Sequence, residues 1–236
     1  MPEPHSSHTA LVDLLGLTLA PVAITFHEAA PDVASWFDEP MTEPAEDGRS
    51  GRVAASCVFW DRAHSTSFVT AVADHGNCSV GRFTHGIATA QDILDKTDVA
   101  TLLDVGWVTT EAFGGVASLD RTPAAIGYGP LEESDGSHDV VLLRVSPTQM
   151  MKIGDAIDVE FSGKPQCQII PRAAEGTVAA SMGCALSRSR IGMGDDELTC
   201  AVPAGRVGEL IEGLRAVVEA DAAVVGYAVA DAARFG

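Results

Sequence analysis

Apolar residues recur along the chain with two different periods, and each period predicts a different kind of element. Near the amino end, residues 11–19 show the three- and four-residue spacing of an amphipathic helix. An apolar segment at 222–227 is expected to pack on a sheet or on a partner subunit. It follows a longer predicted helix, whose apolar positions share one face: Val207, Leu210, Ile211, Leu214, Val217 and Val218.

Short runs of aliphatic and β-branched residues predict the strands. They are bounded by proline, glycine or polar residues and cover 21–26, 67–73, 124–131, 139–145 and 197–202, with a weaker run at 159–163. Further helices are predicted at 53–63, 87–96 and 148–156. The last of these has Ser146 at its N-cap and Pro147 at its first helical position.

Helices and strands follow one another without a strict β-α-β alternation. We therefore predict an α+β fold, in which helices flank a mixed or antiparallel sheet. The 236 residues contain no repeat and no convincing linker. We expect a flexible tail over 1–10 and a single compact domain over 11–236, with an irregular acidic and proline-rich loop at 29–50.

The formal net charge of the chain is −18. Nucleic acids and anionic membrane surfaces carry charge of the same sign, so we expect neither as a partner. The first nine residues lack the basic region of a secretory signal, and we predict a cytoplasmic protein. Five cysteines, an odd number in such a compartment, argue against a framework of disulfides.

Four of the five cysteines stand in different kinds of local sequence. Cys57 lies in a predicted helix, Cys78 in a glycine-bounded turn, Cys167 in a proline-flanked loop and Cys184 among small residues. No compact Cys-x-x-Cys pair is present, so spacing alone predicts neither a zinc ribbon nor a ferredoxin. A cysteine in a turn is poorly explained by packing in the core and well explained by metal ligation. Cys200, in contrast, lies in the alternating pattern of a predicted strand and is expected in the core.

The segment 181–197 combines Cys184 with two arginines, three glycines and three consecutive acids. Arg188 and Arg190 are suited to a carboxylate or phosphate ligand, and we predict that one or both hold a small anionic substrate. At positions i and i+2 they would share one face of a strand, but only one would face a given ligand from a helix. The alternative is that both pair with the acids at 195–197 on the surface.

Histidines flank Cys78 on both sides, at His75 and His85. His85, between Thr84 and Gly86, is the better candidate for a metal or haem ligand. For His75 we favour a role in capping a turn.

Several of these pieces occur together in a known family. The chain resembles the uncharacterised ArCR family, the domain of unknown function numbered 169. The resemblance implies that the cysteines at 57, 78, 167 and 184 converge, although the sequence around Cys78 departs from the commoner form of the family. The matching pieces are Pro21-Val22-Ala23-Ile24, Cys57, Cys78, Gly129-Pro130-Leu131, Asp139-Val140-Val141-Leu142, Ser146-Pro147-Thr148-Gln149-Met150-Met151, Cys167, Ser181-Met182-Gly183-Cys184 and Gly192-Met193-Gly194-Asp195-Asp196-Glu197-Leu198.

Three functions remain open. In the first, the thiolates of Cys57, Cys78, Cys167 and Cys184, or three of them with one iron left open, hold a [4Fe–4S] cluster, and an enzyme uses it for redox or Lewis-acid chemistry on a small anion. In the second, the protein binds haem with His85 or a cysteine as the axial ligand. In the third, it is a non-catalytic module that binds zinc or another ligand. A homo-oligomer is compatible with each of these three functions.

Overall fold

The computed structural model describes residues 3–32, 35–38 and 55–235. Its α-helices within these residues are α1 (Pro4–Leu15), α2 (Ser56–Arg62), α3 (Ser79–Thr84), α4 (Ala90–Leu94), α5 (Thr97–Asp104), α6 (Thr110–Phe113), α7 (Pro147–Ala156), α8 (Ile169–Ala174), α9 (Ala185–Ile191) and α10 (Val207–Ala232). Its strands are β1 (Val22–His27), β2 (Phe68–Ala71), β3 (Ala125–Pro130), β4 (Val140–Val145), β5 (Glu160–Phe161), β6 (Ala179–Ser181) and β7 (Leu198–Pro203).

The strands of the described segments form one seven-stranded sheet in the order β2-β3-β1-β4-β7-β6-β5. Neighbouring strands are antiparallel except for β5 and β6, which are parallel. This mixed sheet with flanking helices confirms the predicted α+β class.

Alternation along the central strands divides the interior into two cores. On β4, Val140 and Leu142 face one side and Val141 and Leu143 face the other. The α8-side core contains Phe59 and Trp60 of α2, with Ile169, Ile170 and Ala173 of α8. The α10-side core contains Leu11 and Leu15 of α1, Met150 and Ile153 of α7, and Val207, Leu210, Ile211 and Leu214 of α10.

A third, smaller cluster lies under the short helices α3 to α6. It is built around Val80, Ile93, Val99 and Phe113. Cys78 and Cys167 pack against both this cluster and the α8-side core. The boundary between these two apolar regions is therefore where thiols collect.

The two terminal helices differ from their predicted extents. α1 begins at Pro4, inside the segment that we expected to be a tail, because Ser7 and Leu11 are buried and extend its packed face. α10 is 26 residues long and continues through 222–227. That segment packs on no sheet in the described structure, and the side chains of Val224, Val225 and Tyr227 are exposed.

Several short helices were not predicted, because helices of four to eight residues show little periodicity. α3 and α9 begin at cysteine N-caps, and α8 follows a 3-10 turn. The predicted helix at 87–96 is shorter, at Ala90–Leu94. Most of the expected loop at 29–50 and the start of the helix expected at 53 lie outside the described residues.

Among the described helices, none has the combination of length and apolar composition needed to cross a membrane.

Candidate functional site: a pocket lined by four thiols

Cys57, Cys78, Cys167 and Cys184 line one pocket. They come from four separate elements, with separations along the chain of 21, 89 and 17 residues. The space between the side chains is about 30 Å³, which accommodates about two groups of the size of water. The walls are mostly apolar and include Ala55, Trp60, Val80, Leu102, Trp107 and Leu186. Cys200, in contrast, is fully buried in the α10-side core on the other face of the sheet.

Two of the thiols are held by the helices that they begin. The Sγ atom of Cys78 accepts the backbone N–H of Gly81 at 3.4 Å, and the Sγ atom of Cys184 accepts that of Ser187 at 3.4 Å. Gly81 also permits close approach, because a Cβ atom there would lie 3.3 Å from Ser56 Oγ. The capping bonds therefore point both sulfur atoms toward the start of their helices, where the pocket lies.

A buried polar network supports Cys184 and the turn that carries Cys167. Gln166, which is 1% exposed, donates through Nε2 to Thr199 Oγ1 at 2.5 Å. Its Oε1 atom accepts the hydroxyl of Ser187, whose oxygen lies 3.4 Å from Cys184 Sγ. Gln166 and Ser187 both line the pocket, and they tie α9 to the 3-10 turn before α8.

The pocket holds two of its thiols, Cys57 and Cys167, in the protonated form. Burial, with a smaller contribution from the nearby Cys78, raises the pKa of Cys57 to about 12, while Arg190 opposes the shift. Burial, again with a contribution from Cys78, raises the pKa of Cys167 well above its ordinary value. Deprotonation of these thiols at neutral pH therefore needs a bound cation to stabilise the thiolates.

The two arginines of the segment 181–197 have separate positions because α9 is a helix. Arg190 lines the pocket, lies near Cys57 and Cys78, and donates through Nη2 to Asn77 O at 3.4 Å. Arg188 is not among the residues that line it. Its guanidinium donates to the carbonyl oxygens of Met182 at 2.5 Å, Glu197 at 3.2 Å and Gly194. Arg188 thus cross-links the glycine-rich loop, and only Arg190 is placed to meet a ligand.

His85 lies in the interior beside the pocket and does not line it. Its ring centroid is 6.1 Å from that of Trp60, a residue of the pocket wall. Nδ1 donates to Gly81 O at 2.9 Å, so Nε2 carries the lone pair, and Nε2 has no hydrogen-bond partner among the described residues. Burial lowers the pKa of His85 to about 4.

The acids at 195–197 are not among the residues that line the thiol pocket. Glu197 accepts Arg144 Nε at 2.8 Å and Nη2 at 2.7 Å, and Asp195 lies 3.5 Å from Arg188. Throughout the described segments, no group of three or more histidine, cysteine or acidic side chains is placed so that it could hold a single metal ion.

Sequence reasoning did not identify Ser56, Trp60, Gln166 or Ser187 as residues of the pocket. Only Ser56 carried a local signal, since it directly precedes Cys57 at the start of a predicted helix.

A model of the uncharacterised ArCR family, DUF169, matches residues 10–213 of the chain. The chain belongs to this family. No curated protein and no solved structure matches it. All four pocket cysteines of this DUF169 protein lie inside the matched residues, whereas the exposed end of α10 lies beyond them.

Proposed function

We propose that this DUF169 protein binds a [4Fe–4S] cluster through Cys57, Cys78, Cys167 and Cys184, and uses it to act on a small anionic substrate. The observation that carries the proposal is the convergence of these four thiols on one pocket from four elements. Cys200, the remaining cysteine, lies in the opposite core.

The donor set suits such a cluster. Thiolates are soft ligands that favour iron–sulfur clusters and zinc. Around a cube, each thiolate binds a different iron atom, so the sulfur atoms stand further apart than around one ion. Four thiols that line one pocket without forming a single-ion site are therefore better matched to a cluster than to one zinc ion.

The space of about 30 Å³ is smaller than a cube, so binding requires the thiols to separate. α3 and α9 are six and seven residues long, and each begins at one of the proposed ligands. Small displacements of these two helices would move Cys78 and Cys184 outward.

When bound through all four cysteines, a cluster of this kind would supply electron transfer, and Lewis-acid chemistry would require that only three of the thiolates bind and one iron atom stays open. The residue that would hold the anion is Arg190, whose planar guanidinium can donate two parallel hydrogen bonds to a carboxylate. It would also offset the repulsion that a chain of net charge −18 exerts on an anion. Arg188 is committed to backbone carbonyls.

Haem is a second candidate, favoured by the free lone pair on His85 Nε2. Against it, His85 does not line the pocket, and about 30 Å³ is much smaller than a porphyrin. We therefore rank haem below the cluster.

The test is anaerobic purification of the full chain, followed by iron, sulfide and zinc analysis and a visible spectrum. A brown protein containing both iron and sulfide supports the proposal. A colourless protein with stoichiometric zinc, or a red protein with a sharp Soret band, would replace it with the zinc or haem alternative. A folded protein that stays colourless and metal-free after anaerobic reconstitution with iron and sulfide would reject all three.

Variants assign the ligands. Each of Cys57→Ser, Cys78→Ser, Cys167→Ser and Cys184→Ser should lower the iron content and the visible absorbance, whereas Cys200→Ala should retain both. Arg190→Gln should retain the iron but weaken the binding of small carboxylates measured by calorimetry. Arg188→Gln is a poor control because it disrupts the loop, so Arg215→Gln, on the exposed face of α10, serves instead.

A further inference from the structure

A hydroxyl group with an unusual set of partners faces the thiol pocket. Ser56 lines the pocket, is 3% exposed, and is the first residue of α2. Its Oγ atom lies 3.2 Å from Nδ1 of His75, which is 1% exposed. The two residues are 19 positions apart in the chain. Ser56 lines the pocket, and His75 lies behind it, with its ring centroid 4.7 Å from that of Phe59 in the α8-side core.

The direction of each hydrogen bond follows from the partner at the far end. The hydroxyl of Thr70 donates to the carbonyl oxygen of Ile126 at 3.0 Å, so its oxygen accepts from Nε2–H of His75 at 2.9 Å. Burial, with smaller contributions from His85 and Arg82, keeps the pKa of His75 well below its ordinary value, and the ring is neutral. Nδ1 therefore carries the lone pair, and Ser56 donates to it.

Ser56, His75 and Thr70 thus form a chain of hydrogen bonds. The order is that of a nucleophile, a base and a group that orients the base. Such an order of partners activates serine in enzymes of acyl transfer. We propose that Ser56 is a nucleophile of the pocket, with His75 as its base and Thr70 as the residue that orients His75. The substrate class is an ester or thioester of a short acyl group, since the whole pocket that Ser56 lines has a volume of only about 30 Å³.

The step is balanced without any additional reactant. Ser56 Oγ forms a bond to the carbonyl carbon of the acyl donor, and its proton passes to His75 Nδ1. The bond to the alkoxide or thiolate leaving group breaks, and that group takes the proton from His75. The acyl group then remains on Ser56 until water or another acceptor removes it.

Thr70 is neutral, so it orients His75 but does not stabilise its protonated form as a carboxylate would. We therefore expect a slow, stoichiometric modification of Ser56 by a reactive electrophile. The inference concerns the pocket without a cluster, because about 30 Å³ cannot hold a cluster and an acyl donor together, and it stands on contacts among Ser56, His75 and Thr70.

The experiment uses methanesulfonyl fluoride, whose small sulfonyl group suits the pocket, on the full chain. Attack forms a bond from Ser56 Oγ to sulfur, breaks the sulfur–fluorine bond and releases fluoride. We expect a single serine adduct, located at Ser56 by peptide mass spectrometry, and none in Ser56→Ala. His75→Gln should slow the reaction by about 100-fold, because glutamine can keep both hydrogen bonds but cannot accept the proton.

The chain offers a matched control in Ser134, whose Oγ lies 2.9 Å from Nδ1 of His138. Ser134 is not among the residues that line the thiol pocket. Ser134→Ala should therefore leave the rate of modification unchanged. An unmodified wild type, equal modification of Ser134 and Ser56, or a His75→Gln variant that is folded and reacts at the wild-type rate would each overturn the proposal. Visible absorbance retained in Ser56→Ala would show that the cluster and the nucleophile are separate properties.

Discussion

The two faces of the sheet bury cysteine in different surroundings. Cys200 in the α10-side core has a pKa raised to about 12 by burial alone. Cys57 on the other face has a pKa raised to about the same value, but Cys78, Cys184 and Arg190 also act on it. Burial is the main cause of the raised pKa at both thiols, but only Cys57 has other thiols and a guanidinium beside it. An isolated buried thiol fills space, whereas a buried thiol among other thiols and a cation belongs to a site.

The same contrast extends to the residues around each thiol. In the α10-side core, the neighbours of the sheet are aliphatic side chains of three helices. On the α8 side, the apolar core also encloses His75, His85, Thr70 and Gln166. Burial of a polar group costs free energy unless the group is hydrogen-bonded. The buried polar residues therefore indicate that the candidate site lies on the α8 side of the sheet.

The largest expected effect comes from truncation in the α10-side core. Leu143 is fully buried, so Leu143→Ala should lower the free energy of unfolding by about 2–5 kcal/mol. Urea unfolding measures the change. Because this core only packs, the reactivity of Ser56 and any metal content per folded molecule should stay at the wild-type level. Loss of either in the folded variant would contradict the division between the two faces.

Next in size is a pH dependence that arises from the α8 side. Burial lowers the pKa of His85 from the ordinary 6.5 to about 4, so the folded state binds fewer protons than the unfolded state in this range. The contribution of neutral His85 to the free energy of unfolding is therefore fully present above pH 6.5. It decreases as the pH drops toward 4, by up to about 3 kcal/mol.

Unfolding measured between pH 7 and pH 4.5 tests this expectation, with His85→Gln as the comparison. The variant should lose stability less steeply over the interval, because glutamine does not titrate. His75, whose pKa is also lowered by burial, should leave part of the slope in place. Identical slopes for the two proteins would show that His85 does not remain neutral in the folded state.

A smaller effect is expected at Arg144 of β4, which joins the end of α2 to the loop after α9 through Asp61, Gly192 and Glu197. Its side chain is 12% exposed, forms two bonds to Glu197 and contacts Asp61 at 3.2 Å. Arg144→Gln should cost about 1–2 kcal/mol, since a bidentate, partly buried pair is lost. Arg206→Gln breaks a comparable bidentate pair with Glu209 on the surface and should cost less than about 0.5 kcal/mol. Equal costs in chemical denaturation would show that burial adds nothing at Arg144.

The smallest effect is expected in the exposed end of α10. Val225 is 57% exposed, so Val225→Ala should change stability by less than about 0.5 kcal/mol. Leu214→Ala, three turns earlier on the same helix and fully buried, should cost several times more. A large effect of Val225→Ala that grows with protein concentration would instead place this part of α10 in a homo-oligomer interface.

The local pattern of apolar residues was sufficient to predict the helices and strands that are long or regular. The run of aliphatic and β-branched residues at 139–145 predicted β4. The helical stripe from Val207 predicted the buried face of α10, because side-chain period follows directly from backbone geometry. Pro147 after Ser146 predicted the start of α7, where the capping box forms. The order of these elements also predicted the α+β class, and the family followed from motifs spread over most of the chain.

Only the tertiary structure decided what the site contains. The convergence of four thiols was implied by resemblance, but no spacing encodes it, since contacts between residues 89 positions apart depend on the packing of the whole sheet. Arg188 and Arg190 separated because Cys184 caps a helix, α9, that contains both, so that residues at i and i+2 do not share a face. The pairing of Ser56 with His75 required α2 to pack over β2 and β3. Short-range sequence sets backbone conformation, whereas the position of one side chain against another is set by how the elements pack.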